Sequence, residues 1–287
     1  MAPHEPTNPF RQFGPVDPLS PVVLSVPHAG RAYPPELLQS ARISLPRLEA
    51  LEDRLVDRLV ARAIAGGISA IVADAPRAQI DLNRDERELD PALIAPRPHP
   101  SSILDSARTR GGLGLIPARM SGAGDIWRER VRAEDVAWRI ETIYRPYHAA
   151  LARALERARA RFGVAILLDC HSMPPRSGEP GQAQIVLGDR HGTSARGNFV
   201  AAAEEAVRAS GFSVARNAPY AGGHITACHG RPAQGTHAIQ LEVDRSTYLA
   251  ADLRSPGPGF DRVAALLESV AQSLARAAEA PVAIAAE

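Results

Sequence analysis

The sequence predicts an α/β domain with a mostly parallel sheet covered by helices on both faces. Two observations carry that expectation. Apolar runs of strand length recur at 21–26, 68–73, 164–169, 184–187 and 237–243. Stretches with helical spacing of apolar residues lie between most of them, and strands that alternate with helices tend to pair in parallel.

Residues 1–20 are proline-rich without periodicity, an extended arm ahead of a single domain over 21–287. The run 21–26 reads as a buried strand ending at Pro27-His28-Ala29-Gly30. Leu48, Leu51, Leu55 and Leu59 predict a helix over 45–65, stopped by Gly66-Gly67. After the strand 68–73, residues 77–84 contain an extended segment, Gln79-Ile80-Asp81-Leu82. Residues 85–125 form a long Pro-, Gly- and Arg-rich loop region, of a length usually tied to function or disorder. A helix over 129–162 is interrupted at Pro146, which lacks the backbone donor. Gly163 admits the strand 164–169. A strand at 184–187, a helix over 195–210, a strand at 237–243 and an alanine-rich helix over 260–278 complete the chain.

Composition excludes several functions. With 33 basic and 32 acidic residues the net charge is +1, so no global field recruits nucleic acid or an anionic membrane. Every basic residue is arginine, yet no basic cluster is interleaved with aromatics, which make up only 5%. Cys170 and Cys228 form no disulfide framework, which suits a reducing cytoplasm. The N-terminus does not read as a signal sequence, and no apolar run approaches the ~18 residues that span a bilayer.

Chemistry concentrates where strands end. In open α/β sheets, sites form beyond the carboxyl ends of strands. His28 lies two residues past Val26, and His171 two residues past Asp169. Either alone could be a hydrogen-bonded loop residue; their equivalent placement favours a shared site. Asp169 shares a strand face with His171 and could orient it or be a ligand itself. A binuclear pattern would want a carboxylate at 173, where Met173 stands. A hydrolytic metal site needs a third ligand, and Glu52, Asp53 and Asp57 on the first helix are available. Cys170 points away from His171 on extended backbone, so packing is favoured over nucleophilic chemistry. Ala221-Gly222-Gly223-His224 reads as a turn. Glu242 shares a strand face with Gln240, either solvated or functional.

Together these segments resemble the N-formylglutamate amidohydrolases. The resemblance rests on Ser25-Val26-Pro27-His28-Ala29-Gly30, Asp53-x-x-Val56-Asp57, Ile80-Asp81-Leu82-Asn83-Arg84 and Asp169-Cys170-His171-Ser172. It continues through Gly222-Gly223-His224-Ile225-Thr226 and Gln240-Leu241-Glu242. The resemblance implies a three-layer α/β/α sandwich with a mostly parallel mixed sheet, similar to the phosphorylase/hydrolase-like fold of zinc carboxypeptidases. It places His28, Asp53 and His171 as ligands of one divalent ion, zinc by expectation, and Glu242 as general acid/base. Asn83 and Arg84 fall where a substrate carboxylate is held, and Arg77 and His224 lie in substrate-binding motifs. The expected reaction is hydrolysis of a small N-formyl or N-acyl acidic amino acid. Residues 85–125 and Met173-Pro174-Pro175-Arg176 differ from the glutamate-specific enzymes. That leaves another deacylase, a carboxypeptidase-like hydrolase or a non-catalytic binding protein as alternatives.

Overall fold

A computed structural model describes residues 8–120, 122–176 and 182–279. The fold is of the α/β class, with a seven-stranded mixed sheet flanked by helices. Its strands are β1 (Phe10–Phe13), β2 (Val22–Val26), β3 (Ser69–Ala73), β4 (Ala165–Met173), β5 (Ile185–Gly188), β6 (Val214–Arg216) and β7 (Thr236–Asp244). Their order across the sheet is β1-β3-β2-β4-β7-β5-β6. β4 pairs in parallel with β2 and β7, β6 pairs in parallel with β5, and β5 runs antiparallel to β7. The five apolar runs of the sequence are thus strands. The expected arm over 1–20 contributes β1, and its first seven residues lie outside the described ones.

The chain divides into two compact units. The first holds Met1–Gln12, Val26–Leu55 and Ile71–Leu151. In it the helix expected over 45–65 is broken. Leu45–Leu48 is helical and Glu49–Leu51 a tighter turn, after which Glu52 is extended at ψ 151° and Leu55 is left-handed at φ 63°. The leucine spacing satisfies a helix, but Asp53 N donates instead to His28 O at 2.9 Å. Residues 79–82 differ as well. Their alternation suggests a strand, whereas they form turns in which Gln79 and Ile80 donate backbone N–H groups to Pro76 O. Just ahead of Pro146, Ile140–Tyr144 widens into a π-helical turn, where the ring would otherwise meet the preceding turn.

The second unit holds Phe13–Ser25, Val56–Ala70 and Ala152–Glu287. Its helix Phe260–Glu279 buries Val263, Leu266, Leu267, Val270, Ala271 and Leu274, one face at helical spacing. That face packs on the helices Gly197–Ala209, Ala61–Ala65 and Val56–Leu59. β4 is buried along its whole length and runs four residues beyond the expected end at 169. His171 therefore lies within the strand rather than past it. The short helix His224–His229 packs against β4 and β7. No helix among the described residues is long and apolar enough to cross a membrane.

Candidate active site

In the first unit the chain leaves β2 through Pro27 into His28. Gly30 makes the close passage possible, since a Cβ there would come 2.1 Å from Ala75 O. His28 is 2% exposed, and both ring nitrogens have carboxylate partners. Nδ1 lies 3.2 Å from Asp53 Oδ2, and Nε2 lies 2.7 Å from Asp81 Oδ1. Asp81 also accepts from Asn83 N at 2.9 Å and from Arg77 Nε at 2.9 Å. Burial would raise the Asp81 carboxyl, but Arg77, Arg84 and His28 together hold it well below the usual carboxylate range. Arg84 is buried, donating to Leu113 O at 2.8 Å and Asn83 O at 2.7 Å, with Nη2 3.8 Å from Asp81 Oδ2. Burial lowers the Arg84 pKa, partly opposed by Asp81.

Glu52 lies beside Asp53 where the helix is interrupted. It accepts from Tyr33 Oη at 2.7 Å and Arg54 Nη1 at 2.8 Å. Burial raises its carboxyl, against the opposing hydrogen bonds of Tyr33 and Arg54. The Tyr33 hydroxyl is raised too, by burial first and then by the Glu52 charge. Asp57 stands in the following helical turn, half-buried.

In the second unit, register builds a polar face on an apolar sheet. Asp169 is paired with Ser25 on one side and Gln240 on the other, and His171 with Glu242. Paired residues of neighbouring strands point the same way, and so do i and i+2 along each strand. All five are buried. His171 Nε2 lies 2.8 Å from Asp169 Oδ2, and Gln240 Nε2 donates to Glu242 Oε1 at 2.8 Å. Asp169 Oδ1 is buried without a hydrogen-bond partner among the described residues. Cys170 alternates to the other face, where burial and then Asp169 push its thiol pKa far up, away from nucleophilic use. His224 opens its helix directly after Gly222, at φ 118°, and Gly223.

The sequence signals missed two residues of these clusters. Asp81 stands in a quoted motif without a role, and the structure makes it the hub of His28, Arg77 and Asn83. His229 carries no motif at all. Burial, against the charge of Asp169, lowers its pKa to about 4. A surface cavity of about 380 Å³ in the first unit is lined by Arg42, Asp90, Trp127 and Arg128 among others, and contains none of these residues. Buried carboxylates and imidazoles meet in the clusters and not in that cavity.

Residues 20–249 match the model of the N-formylglutamate amidohydrolase family. An N-formylglutamate deformylase of Pseudomonas putida is 33% identical, covering 80% of this chain and 82% of the relative. One from Pseudomonas aeruginosa is 32% identical with the same coverage. The crystal structure of N-formylglutamate amidohydrolase from Ralstonia eutropha JMP134 superposes with a TM-score of 0.85 at 35% identity, covering 95% of this chain and 98% of that one. A gene product of Agrobacterium tumefaciens shares the fold at 14% identity and a TM-score of 0.65, covering 96% of this chain and 97% of that one. The chain belongs to the N-formylglutamate amidohydrolase family.

Proposed function

We propose that this protein hydrolyses the amide bond of N-formyl acidic amino acids, N-formylglutamate first, using one divalent ion, zinc, held by His28, Asp53 and His171. The observation that carries the reading is the register of β4 and β7, which sets Glu242 beside His171 at the carboxyl end of the sheet. β2, the strand that leads into His28, pairs with β4 on its other side.

The donor set suits such an ion. Two histidines and a carboxylate are common ligands in hydrolytic zinc sites, and these three form a group that could hold a metal. Each imidazole has a carboxylate on one nitrogen, Asp81 for His28 and Asp169 for His171. That pairing fixes the tautomer and orientation of metal-binding histidines. With Nε2 donating to Asp81, His28 Nδ1 presents its lone pair beside Asp53 Oδ2. When bound, a divalent ion supplies Lewis acidity, making a water proton easier to remove and polarising the scissile carbonyl.

The chain's own residues do the rest. Glu242 takes a proton from water as its oxygen adds to the formyl carbon. It returns that proton to the nitrogen as the C–N bond breaks, leaving formate and the free amino acid. Gln240 holds one Glu242 oxygen in place. Arg77, Asn83 and Arg84 bind the substrate, and His224 contacts it as well. The guanidiniums of Arg77 and Arg84 both face the single carboxylate of Asp81, and that surplus of positive charge favours a substrate carboxylate. Arg84 is pinned by its two carbonyls and contributes fixed charge, whereas Arg77, with a side chain 20% exposed, reaches solvent. The reading takes 21–287 as one amidohydrolase domain acting on a small molecule in the cytoplasm, with neither nucleic acid nor membrane as partner.

Purified protein is expected to hold about one divalent ion per chain. It should act on N-formylglutamate faster than on the acetyl or succinyl analogues or on dipeptides. His28→Ala and His171→Ala should each remove metal and turnover, and Asp53→Ala nearly so. Full metal occupancy in the double histidine variant would overturn the ligand set. A metal-replete protein that binds N-formylglutamate without releasing formate would overturn the activity.

A further inference from the structure

The loop after β5 is held in a conformation that nothing in the hydrolytic scheme yet uses. Arg190 and His191 are both left-handed, at φ 53° and 56°, and Gly192 follows at 85°. Consecutive left-handed residues with side chains are uncommon and mark positions imposed by their surroundings. Here the surroundings are identifiable. Asp189 is buried and accepts from Asn217 Nδ2 at 2.6 Å. Asn217 Oδ1 in turn accepts from the backbone N–H groups of Asp189, at 3.0 Å, and His191, at 3.4 Å. Asn217 is itself left-handed at φ 57°.

This clamp ties Arg190 to the His224 turn. Arg190 N donates to Ala221 O at 2.7 Å, one residue before Gly222. A Cβ on Gly222 would come 3.0 Å from Arg190 Cγ and 2.6 Å from Thr226 Oγ1. The arginine stem therefore lies on the glycine turn that leads into His224. Its guanidinium has no hydrogen-bonded or ion-paired partner among the described residues. A fixed stem with an unneutralised, solvent-accessible charge is arranged to receive an anion.

We propose that Arg190 binds the side-chain carboxylate of the substrate and thereby selects acidic N-formyl amino acids over neutral ones. The inference rests on the hydrolytic reading above, whose substrate carries two carboxylates. The side-chain carboxylate extends away from the amide and falls to Arg190.

The test compares kcat/KM for N-formylglutamate and N-formylglutamine, near-isosteres that differ in that one charge. The proteins are metal-loaded wild type, Arg190→Gln and Arg190→Gly. Losing a charge-assisted contact should cut the preference for the acid by about 10- to 150-fold. Arg190→Gln keeps the stem and the left-handed demand, and Arg190→Gly relieves that demand, so a folding defect in one variant does not decide the outcome. A preference ratio unchanged in both variants overturns the proposal, including when both substrates lose activity equally. Should wild type hydrolyse neither compound, the hydrolytic reading fails on its own. Calorimetric binding of L-glutamate then decides the contact, and equal affinity in wild type and Arg190→Gln overturns it.

Discussion

Glu242 occupies a strand whose residues from His237 to Asp244 are all buried, so its carboxylate depends on polar neighbours rather than bulk water. Gln240 holds one oxygen, and register sets His171 opposite. A positioned general base contributes about 10²–10⁴-fold to turnover. Glu242→Gln keeps shape and hydrogen-bonding capacity, so it should lose about that factor in kcat. Metal content and melting temperature should stay at wild-type values. Steady-state kinetics beside metal analysis check this; near wild-type kcat would pass the proton transfer to another group, His224 first. Individual residues were unequally legible in the sequence. His28 and His171 could be found because each follows an apolar strand run. Glu242 stood out only as a carboxylate interrupting such a run. His229 could not be found, because its burial arises where a six-residue helix packs on β4 and β7, a tertiary event that no local pattern encodes.

Among the elements, the break at Glu52–Leu55 matters most, because it carries Asp53 to His28. Helical periodicity reports only which residues are apolar, and Leu48, Leu51, Leu55 and Leu59 are all buried as a helix would have them. What breaks the helix is long-range: Asp53 N bonds to His28 O, and Glu52 accepts from Tyr33. The strand runs at β2, β3, β4, β5 and β7 were legible because burial on both faces leaves a short continuous apolar signature. The turns at 79–82 imitate one, since Ile80 and Leu82 are buried at alternate positions without any strand. Tyr33→Phe tests the break directly. It removes one donor from a fully buried carboxylate, and should cost about 1–3 kcal/mol in urea denaturation. If the Glu52 anchorage holds Asp53 in place, the variant should also lose its metal faster to a chelator. Wild-type stability and metal retention together would show that the break holds without Tyr33.

For the molecule as a whole, acid should destabilise through two kinds of group in different pH ranges. Asp81 has its pKa depressed by folding, so it contributes stability above the ordinary carboxylate range, lost as pH falls through its lower folded value. His237 acts at higher pH. It is fully buried at the start of β7, packs on Phe199, accepts from Arg196 N through Nδ1, and has an Nε2 without a partner among the described residues. Burial first, and then the charge of Arg196, lower its pKa from 6.5 to about 4. Between those values the unfolded chain binds a proton that the native state refuses. Stability must therefore fall as pH drops below about 6.5 and level off near the folded value of about 4. The loss attributable to His237 should be on the order of 1–3 kcal/mol. His237→Asn supplies an oxygen to meet the Arg196 N–H and removes the titration. Urea melts at pH 7.5, 6, 5 and 4.5 should then show a shallower decline than wild type, even if the variant is less stable at pH 7.5. An identical slope in the two proteins would remove His237 as the source and leave the acid sensitivity to His229, the other buried imidazole with a depressed pKa.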